Sequence, residues 1–522
     1  MKLCLINLKF ESNEITNFRR QEHTGLGYIG AVCKNAGHEV YIINAQFENI
    51  DKCEVLRRIV EYKPDVIGIS VYEELLSDTV SLIENIKEND SNTTVIIGGH
   101  YATFNSENLL KSIPGIDFIV LGEGEISFPR LLSAINKSQS PDTIKGISYR
   151  QGSNIISTGF SDSVDNLDDL PYPIRAEIDR SDKITNMSAS RGCYGNCSFC
   201  STNSFYRKHN CKSIRTRNPL KVVDEIEYIV KNFKAYHIFF TDDNFLVNEK
   251  LNPGWINTFV NEVENRDLNI VFNFDCRVDD IDEELFAKLK KIGLIGVFVG
   301  VESNSAKTLE LYNKSTSRSK NIEAINKLRK LRIDYWTGNI MFHPLTTLED
   351  IYDDIKFFED IHYHLYFNYS NPVTCLAGRL KIYRGTDIFD KLSELNILKN
   401  NELTCEYNFF DDRIDAFFNF VQTCKKLISP LVELDSVFMV ETANKAGKAD
   451  LASKIHSISR KYMKLDFIMF KTAHGYLHFE NQTIDDFMIS SRELIDKNIP
   501  IINELYTELK KLKEQVDVLQ VY

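Results

Sequence analysis

Two successive series of short apolar strands alternating with amphipathic helices constrain this chain more than any other feature. The first runs through Leu3–Asn7, Glu39–Asn44, Val66–Ser70, Thr94–Ile97 and Phe118–Leu121, with helices such as Leu75–Lys87 and Ile126–Ile135 in the gaps. The second has strands near 185–190, 236–241, 270–275, 295–301, 333–342 and 365–371. Helices including Leu220–Asn232, Glu283–Ile292, Ser319–Leu331 and Leu348–Ile361 separate them. A strand that returns to its sheet through a helix lies parallel to the one before, so both series predict parallel α/β sheets.

The 522 residues are too many for one ordinary core and suggest about three domains of roughly 150–200 residues. Residues 1–140 hold the first series, which suits a flavodoxin- or Rossmann-like sheet with ligands beyond its carboxyl strand ends. Residues 141–175 read as a linker, rich in Ser, Asp, Gly and Pro and ending in Leu170-Pro171-Tyr172-Pro173. Residues 176–390 carry the second series, the pattern of a partial (β/α)6 barrel related to the TIM barrel, with chemistry at the carboxyl ends of its strands. Residues 391–522 lack convincing strands and show helical periodicity in Ala416–Leu427, Ala449–Tyr462 and Thr483–Leu512. A net charge of −12 argues against a nucleic-acid partner, which needs clustered Lys and Arg. No apolar run reaches the length of a membrane span, and Met1–Asn7 has no basic signal region, so a cytoplasmic protein without a membrane partner is expected. In that compartment the 11 cysteines are free thiols or metal ligands.

Three of them fall close together in Ser190-Arg191-Gly192-Cys193-Tyr194-Gly195-Asn196-Cys197-Ser198-Phe199-Cys200. Thiols spaced C-x3-C-x2-C can ligate three irons of a [4Fe–4S] cubane and leave the fourth iron open to a chelating substrate. Gly192 and Gly195 allow the tight loop this requires. The alternative is a structural zinc site completed by His209 or Cys211, although zinc sites more often use paired C-x2–4-C units.

The same run, with an aromatic before its last cysteine, resembles the signature of the radical S-adenosylmethionine superfamily. The resemblance implies that Cys193, Cys197 and Cys200 hold the cluster and that S-adenosylmethionine chelates the open iron through its amine and carboxylate. It implies reductive cleavage to a 5′-deoxyadenosyl radical, with electrons from a donor such as flavodoxin or ferredoxin. Ile238–Phe245, which contains Asp242-Asp243-Asn244-Phe245, resembles the second-strand motif of the branch with an N-terminal cobalamin domain. Cys276-Arg277-Val278-Asp279 resembles its third strand end, and Val299-Gly300-Val301-Glu302-Ser303 its fourth. By that likeness Asp242, Asp243, Arg277, Glu302 and Ser303 are the expected S-adenosylmethionine contacts. Met341–Thr347 departs from the family's G-x-P-G-E-T turn in lacking its glycines.

Upstream, Gly25–Ile29, Ala36–Val40, Pro64–Ser70, Gly98–Thr103 and Gly122-Glu123-Gly124-Glu125 resemble, in order and spacing, the cobalamin-binding domain of that branch. This implies that Gly98, Gly99, His100, Gly122, Glu123 and Gly124 line the slot for the nucleotide tail. Ser70, Val71, Tyr72 and Glu73 would face the corrin ring. The D-x-H-x-x-G motif that supplies a cobalt-ligating histidine in other cobalamin enzymes is absent, and neither His38 nor His100 fits it. Such a histidine-free site accords with the methyltransferase members. The expected activity is cobalamin-dependent radical methylation of an unactivated carbon in a small-molecule or peptide substrate. The alternative is a radical cyclisation, ring contraction or rearrangement in the same branch. A cobalamin sensor would have no use for an open iron.

Overall fold

The computed structural model describes residues 1–10, 22–176, 184–208, 214–363, 372–400, 403–480 and 482–519. Packing divides the chain into two compact units. One comprises Met1–Asp275, Ala287–Ile295 and Ile382–Glu406; the other comprises Cys276–Phe286, Gly296–Lys381 and Tyr407–Tyr522.

The first unit opens with strands β1 (Lys2–Asn7), β2 (Glu39–Asn44), β3 (Val66–Ser70), β4 (Thr94–Gly98) and β5 (Phe118–Val120). They pair in parallel in the order β2-β1-β3-β4-β5. The side-chain period of a strand explains why they are apolar throughout. In β1, Cys4 and Ile6 enter one core with Ile67, Ile69, Val95 and Ile97, while Leu3 and Leu5 enter the other with Val66 and Ile96. A parallel sheet covered by helices on both faces has no residue to leave polar. Each fully buried aliphatic side chain contributes about 1.5–3 kcal/mol.

The stretch expected as a linker contains two more strands, β6 (Ile147–Gln151) and β7 (Asn154–Ser157), which extend this sheet antiparallel to β5. The apolar–polar alternation of Ile147-Ser148-Tyr149 and the turn glycine Gly152, with φ 63°, were its sequence signals. They were outweighed by the Ser, Asp and Pro around them.

The second series forms a sheet of β8 (Ile184–Met187), β11 (His237–Phe240), β12 (Val271–Arg277), β13 (Leu294–Glu302), β14 (Asp334–Phe342) and β15 (Gly378–Arg379) in that order. The pairings of β8 with β11, β11 with β12, β13 with β14 and β14 with β15 are parallel, as in a partial barrel. The sixth strand is the short Gly378–Arg379; the stretch 365–371, where it was expected, lies outside the described residues. A separate pair, β9 (Ser190–Arg191) and β10 (Arg215–Thr216), runs antiparallel.

Within the second unit the helices start where capping chemistry dictates. Thr347 and Asp350 form a reciprocal capping box at Leu348–Asp360. From Asp412 the C-terminal region is helical, as its periodicity predicts: Asp412–Glu433, Ser436–Lys445, Ala449–His478 and Ile484–Leu519; before it, in residues expected to lack strands, Leu398–Asn400 pairs with Cys405–Tyr407.

Candidate functional site

The three cysteines lie on the loop between β9 and the helix Ser201–Lys208. Gly192 enters the loop with φ 88°, a conformation few side chains tolerate. Gly195 N–H donates to Cys193 Sγ at 3.3 Å, and Cys200 N–H closes a turn on the Cys197 carbonyl at 3.2 Å. Cys197 is buried and the other two are half-buried. Burial pushes the Cys200 thiol up, so a positive metal centre is what would make it a thiolate.

Among the described residues no three His, Cys, Asp or Glu side chains converge on a single ion. A cubane does not require that, since each iron takes its own thiolate. His209 and Cys211, the partners a zinc site would need, lie outside the described residues. The donor set fits a cluster: three thiols on one glycine-hinged loop, no two in direct sequence contact, with an N–H already directed at one sulfur.

Asp242 and Asp243 hold this loop. Asp243 accepts from Gly192 N–H at 2.8 Å and from the Thr202 hydroxyl at 3.0 Å, one partner on each side of the cysteines. Asp242 accepts from Ala189 N–H at 3.0 Å and from the Ser190 hydroxyl. Both carboxyls are pushed up by burial, Asp242 to about 6, while these hydrogen bonds oppose the rise. Asp275, on β12, is pushed up to about 8 by burial and then by the charges of Asp243 and Asp242. Asp275 is not among the residues singled out from the sequence, although it directly precedes Cys276-Arg277.

A cleft of about 310 Å³ opens in the same unit. On one side it is lined by Ser70, Gly98, Gly99, Gly122, Glu123 and Gly124, and on the other by Ser190, Arg191, Tyr206, Thr241 and Asp243. Six of the ten expected cobalamin contacts thus face one cavity, whereas Val71, Tyr72, Glu73 and His100 do not line it. Tyr72 packs instead against Phe10, with ring centroids 5.5 Å apart. His100 stacks on Phe205 of the helix after the cysteines, at 4.0 Å and 20°. Gly98 has room for a Cβ, whose nearest neighbour would be Val120 at 3.8 Å. Gly99 also has room, but its φ of 102° makes any side chain there strained.

His23 lines the cleft and was not singled out from the sequence. Its Nδ1 accepts from Leu26 N–H at 3.1 Å as the cap of the helix Thr24–Asn35, and its Nε2 lies 2.9 Å from Ser70 Oγ. With Nδ1 an acceptor, the neutral ring carries its proton on Nε2 and donates it to Ser70. Burial pushes His23 down to about 4 and keeps it neutral.

The remaining expected contacts belong to the second unit. Glu302 ends β13 with φ 69°, where the ladder to β14 shifts register. Such strained backbone outside glycine is concentrated at functional positions. Its Oε1 lies 3.2 Å from Lys314 Nζ, and both side chains are largely buried. Lys314 was not identified from the sequence. Ser303 and Asn304 bind Asp354, Asn304 N–H at 2.6 Å, and burial pushes Asp354 up to about 7. Arg277 Nε pairs with Asp279 at 3.0 Å.

Comparison with known proteins agrees with this arrangement. Residues 20–132 match the B12 binding domain family and residues 187–358 the radical SAM superfamily. An uncharacterized methyltransferase of Pyrococcus horikoshii, PH0819, is 26% identical over 64% of this chain and 72% of its own. The anaerobic magnesium-protoporphyrin IX monomethyl ester cyclase of Rubrivivax gelatinosus is 28% identical over 58% of this chain and 56% of its own, so the match spans little more than half of that relative. The solved structure of the cobalamin-dependent S-adenosylmethionine radical enzyme OxsB with aqua-cobalamin bound shares the fold. Its TM-score is 0.72 at 18% identity, over 99% of this chain and 80% of that one.

The chain is a radical S-adenosylmethionine enzyme. It carries a B12 binding domain ahead of the radical domain, and the cofactors of the two domains are a [4Fe–4S] cluster, S-adenosylmethionine and cobalamin.

Proposed function

We propose that this enzyme is a radical methyltransferase acting on an unactivated carbon of a small-molecule or natural-product substrate. The observation that carries the reading is the single cleft that holds both the glycine-bearing strand ends and the residues flanking the cysteine loop. Donor and radical source then open on one space. When bound, the cluster with S-adenosylmethionine supplies a hydrogen-abstracting radical, and the corrin supplies the methyl group.

The chain's own residues do the rest. Cys193, Cys197 and Cys200 hold the cluster. Asp242 and Asp243 fix the loop at both ends and so would hold the three thiols in one arrangement. Ser70, Gly98, Gly99, Gly122 and Gly124 admit the corrin and its tail. His23 spends both ring nitrogens on Leu26 and Ser70, which supports a corrin without a histidine on cobalt. Glu302, its charge balanced by Lys314, is suited to accept from an S-adenosylmethionine hydroxyl or ammonium. Arg277 and Ser303 are engaged with Asp279 and Asp354. Residues 1–140 and 176–390 serve as corrin and radical domains, followed by the helical domain 391–522. A flavodoxin- or ferredoxin-type donor supplies the electron. Among the described residues no helix is long and apolar enough to cross a membrane.

The test is product analysis by mass spectrometry with the reconstituted enzyme, candidate substrates and S-adenosylmethionine deuterated in its methyl group. A product carrying the label supports the proposal. Stoichiometric 5′-deoxyadenosine with an unlabelled, cyclised or rearranged product overturns it in favour of the chemistry named for the cyclase relative.

A further inference from the structure

The acidic residues of the Gly122–Glu125 stretch line the cleft with their charges paired to arginines. Glu123 accepts from Arg191 Nη1 at 2.9 Å and from both terminal nitrogens of Arg215, at 2.8 and 2.6 Å. Glu125 accepts from Arg191 Nη2 at 2.5 Å. Their side chains are at most 14% exposed, and the two positive and two negative charges balance. Burial opposes the Glu123 charge, yet the two guanidinium groups hold its carboxyl down to about 2.

The positions of the arginines give the cluster its meaning. Arg191 directly precedes Gly192 and Cys193, and Arg215 is its register partner across the β9–β10 pair. Each guanidinium also lies over a ring, Arg191 over Tyr28 at 5.5 Å and Arg215 over Tyr206 at 5.5 Å. Tyr28 belongs to the helix after His23, and Tyr206 to the helix after the cysteines. A buried ion cluster contributes little net stability against the cost of desolvating its charges, but its forked geometry accepts one arrangement of its elements.

We infer that Arg191 is a positioning residue that locks the strand-end stretch Gly122–Glu125 and the cysteine loop into one register, so that filling either cofactor site favours filling the other. A loop ordered by its cluster presents Arg191 to Glu123 and Glu125, and these carboxylates shape the cleft wall beside Gly122 and Gly124. Without the cluster, closing that wall on a corrin must also order the loop. Such linkage is reciprocal.

The experiment is titration of the full chain with hydroxocobalamin, in cluster-loaded and iron-free forms. The parent should bind it at least about fivefold more tightly when loaded, the lower end of ordinary coupling. The double variant Arg191→Met with Glu125→Gln removes one charge of each sign and leaves the Glu123–Arg215 pair. Its affinity ratio, with each affinity referred to the iron and corrin the variant holds, should fall to near unity. Arg191→Lys, which retains the charge and loses the fork, should fall between. A parent ratio near unity, or a parent-sized ratio in the double variant, overturns the inference. Should the double variant not fold, Arg191→Lys decides alone, a parent-sized ratio there being fatal.

Discussion

The two walls of the cleft are built on opposite plans. The corrin-facing wall is made by subtraction: Gly98, Gly99, Gly122 and Gly124 bring backbone to the cavity surface, and its histidine, His23, is held neutral. The cluster-facing wall is made by addition. Asp242, Asp243 and Arg191 spend charged hydrogen bonds on holding a loop whose cysteines are its working groups. A wall of glycines is shaped for a large ligand that brings its own polar groups. A latched loop is shaped for a cluster that must be held at three corners with the fourth free.

The sharpest way to break this contrast is to remove a working group from the latched wall. Cys197→Ala should lose the cluster, with iron falling from about four per chain to near zero. Cys4→Ala, altering a thiol in the core of β1, should retain it. Iron assay and electron paramagnetic resonance of the reduced protein decide. Full iron in Cys197→Ala would remove the basis for the cysteine assignment.

The glycine wall should fail differently. Gly98→Val puts two methyls into the cleft where the protein itself has room, so the loss should be the ligand's. An overpacking cost of roughly 1–3 kcal/mol corresponds to hydroxocobalamin binding weaker by about 5- to 150-fold, with iron unchanged. Gly99→Val cannot separate these effects, since its φ of 102° strains the backbone whether or not a corrin is present. Unchanged corrin affinity in Gly98→Val would take β4 out of the site.

What was legible in the sequence follows the same division. Glycines at strand ends and cysteines at short spacing announce themselves locally, because each reports a requirement of its own backbone or its own ligand. The latches do not. Asp243 and Gly192 are 51 residues apart, and Arg191 and Glu123 are 68 apart, so nothing near either residue states the partnership. A carboxylate at a strand end looks the same whether it will bind a cofactor or a loop. His23 was hidden for a related reason: its partner Ser70 lies 47 residues away. Lys314 sits in a turn, and only the fold shows it beside Glu302. The strands themselves were readable because burial on both faces demands unbroken apolar runs, whereas the β6–β7 hairpin, at a sheet edge, makes no such demand.

Asp243→Asn sharpens the contrast at moderate size. The amide retains one acceptor for Gly192 or Thr202 but loses the charge, and a hydrogen bond to a charged group is worth about 1.5–3 kcal/mol. Cluster retention should suffer by that measure, read as faster iron loss to a chelator. The affinity for S-adenosylmethionine, measured by isothermal titration calorimetry on protein that has retained its iron, should change by less than about threefold, a fraction of that energy. The reverse pattern, stable iron with affinity lost, would make Asp243 a cofactor contact and not a latch.

The smallest effect concerns protons on the glycine wall. Burial lowers His23 from 6.5 to about 4, so between those values the unfolded chain binds a proton that the folded chain refuses. Stability from this group is therefore complete above pH 6.5 and is lost as pH falls toward 4, by about 1–2 kcal/mol between pH 7 and pH 5. His343 and His474, also lowered to about 4 by burial, add the same sign of effect in the second unit. The His23 share is isolated by comparing Tm at pH 7 and pH 5 in the parent and in His23→Gln. Glutamine can accept from Leu26 N–H but does not titrate, so its loss of Tm should be smaller than the parent's by a degree or more, since about 1 kcal/mol moves Tm by about 2–4 °C in large domains. An equal loss in both would mean that His23 takes up its proton in the folded state as readily as in the unfolded one. The ring would then be open to water, and His23 would no longer be the neutral side chain its burial makes it.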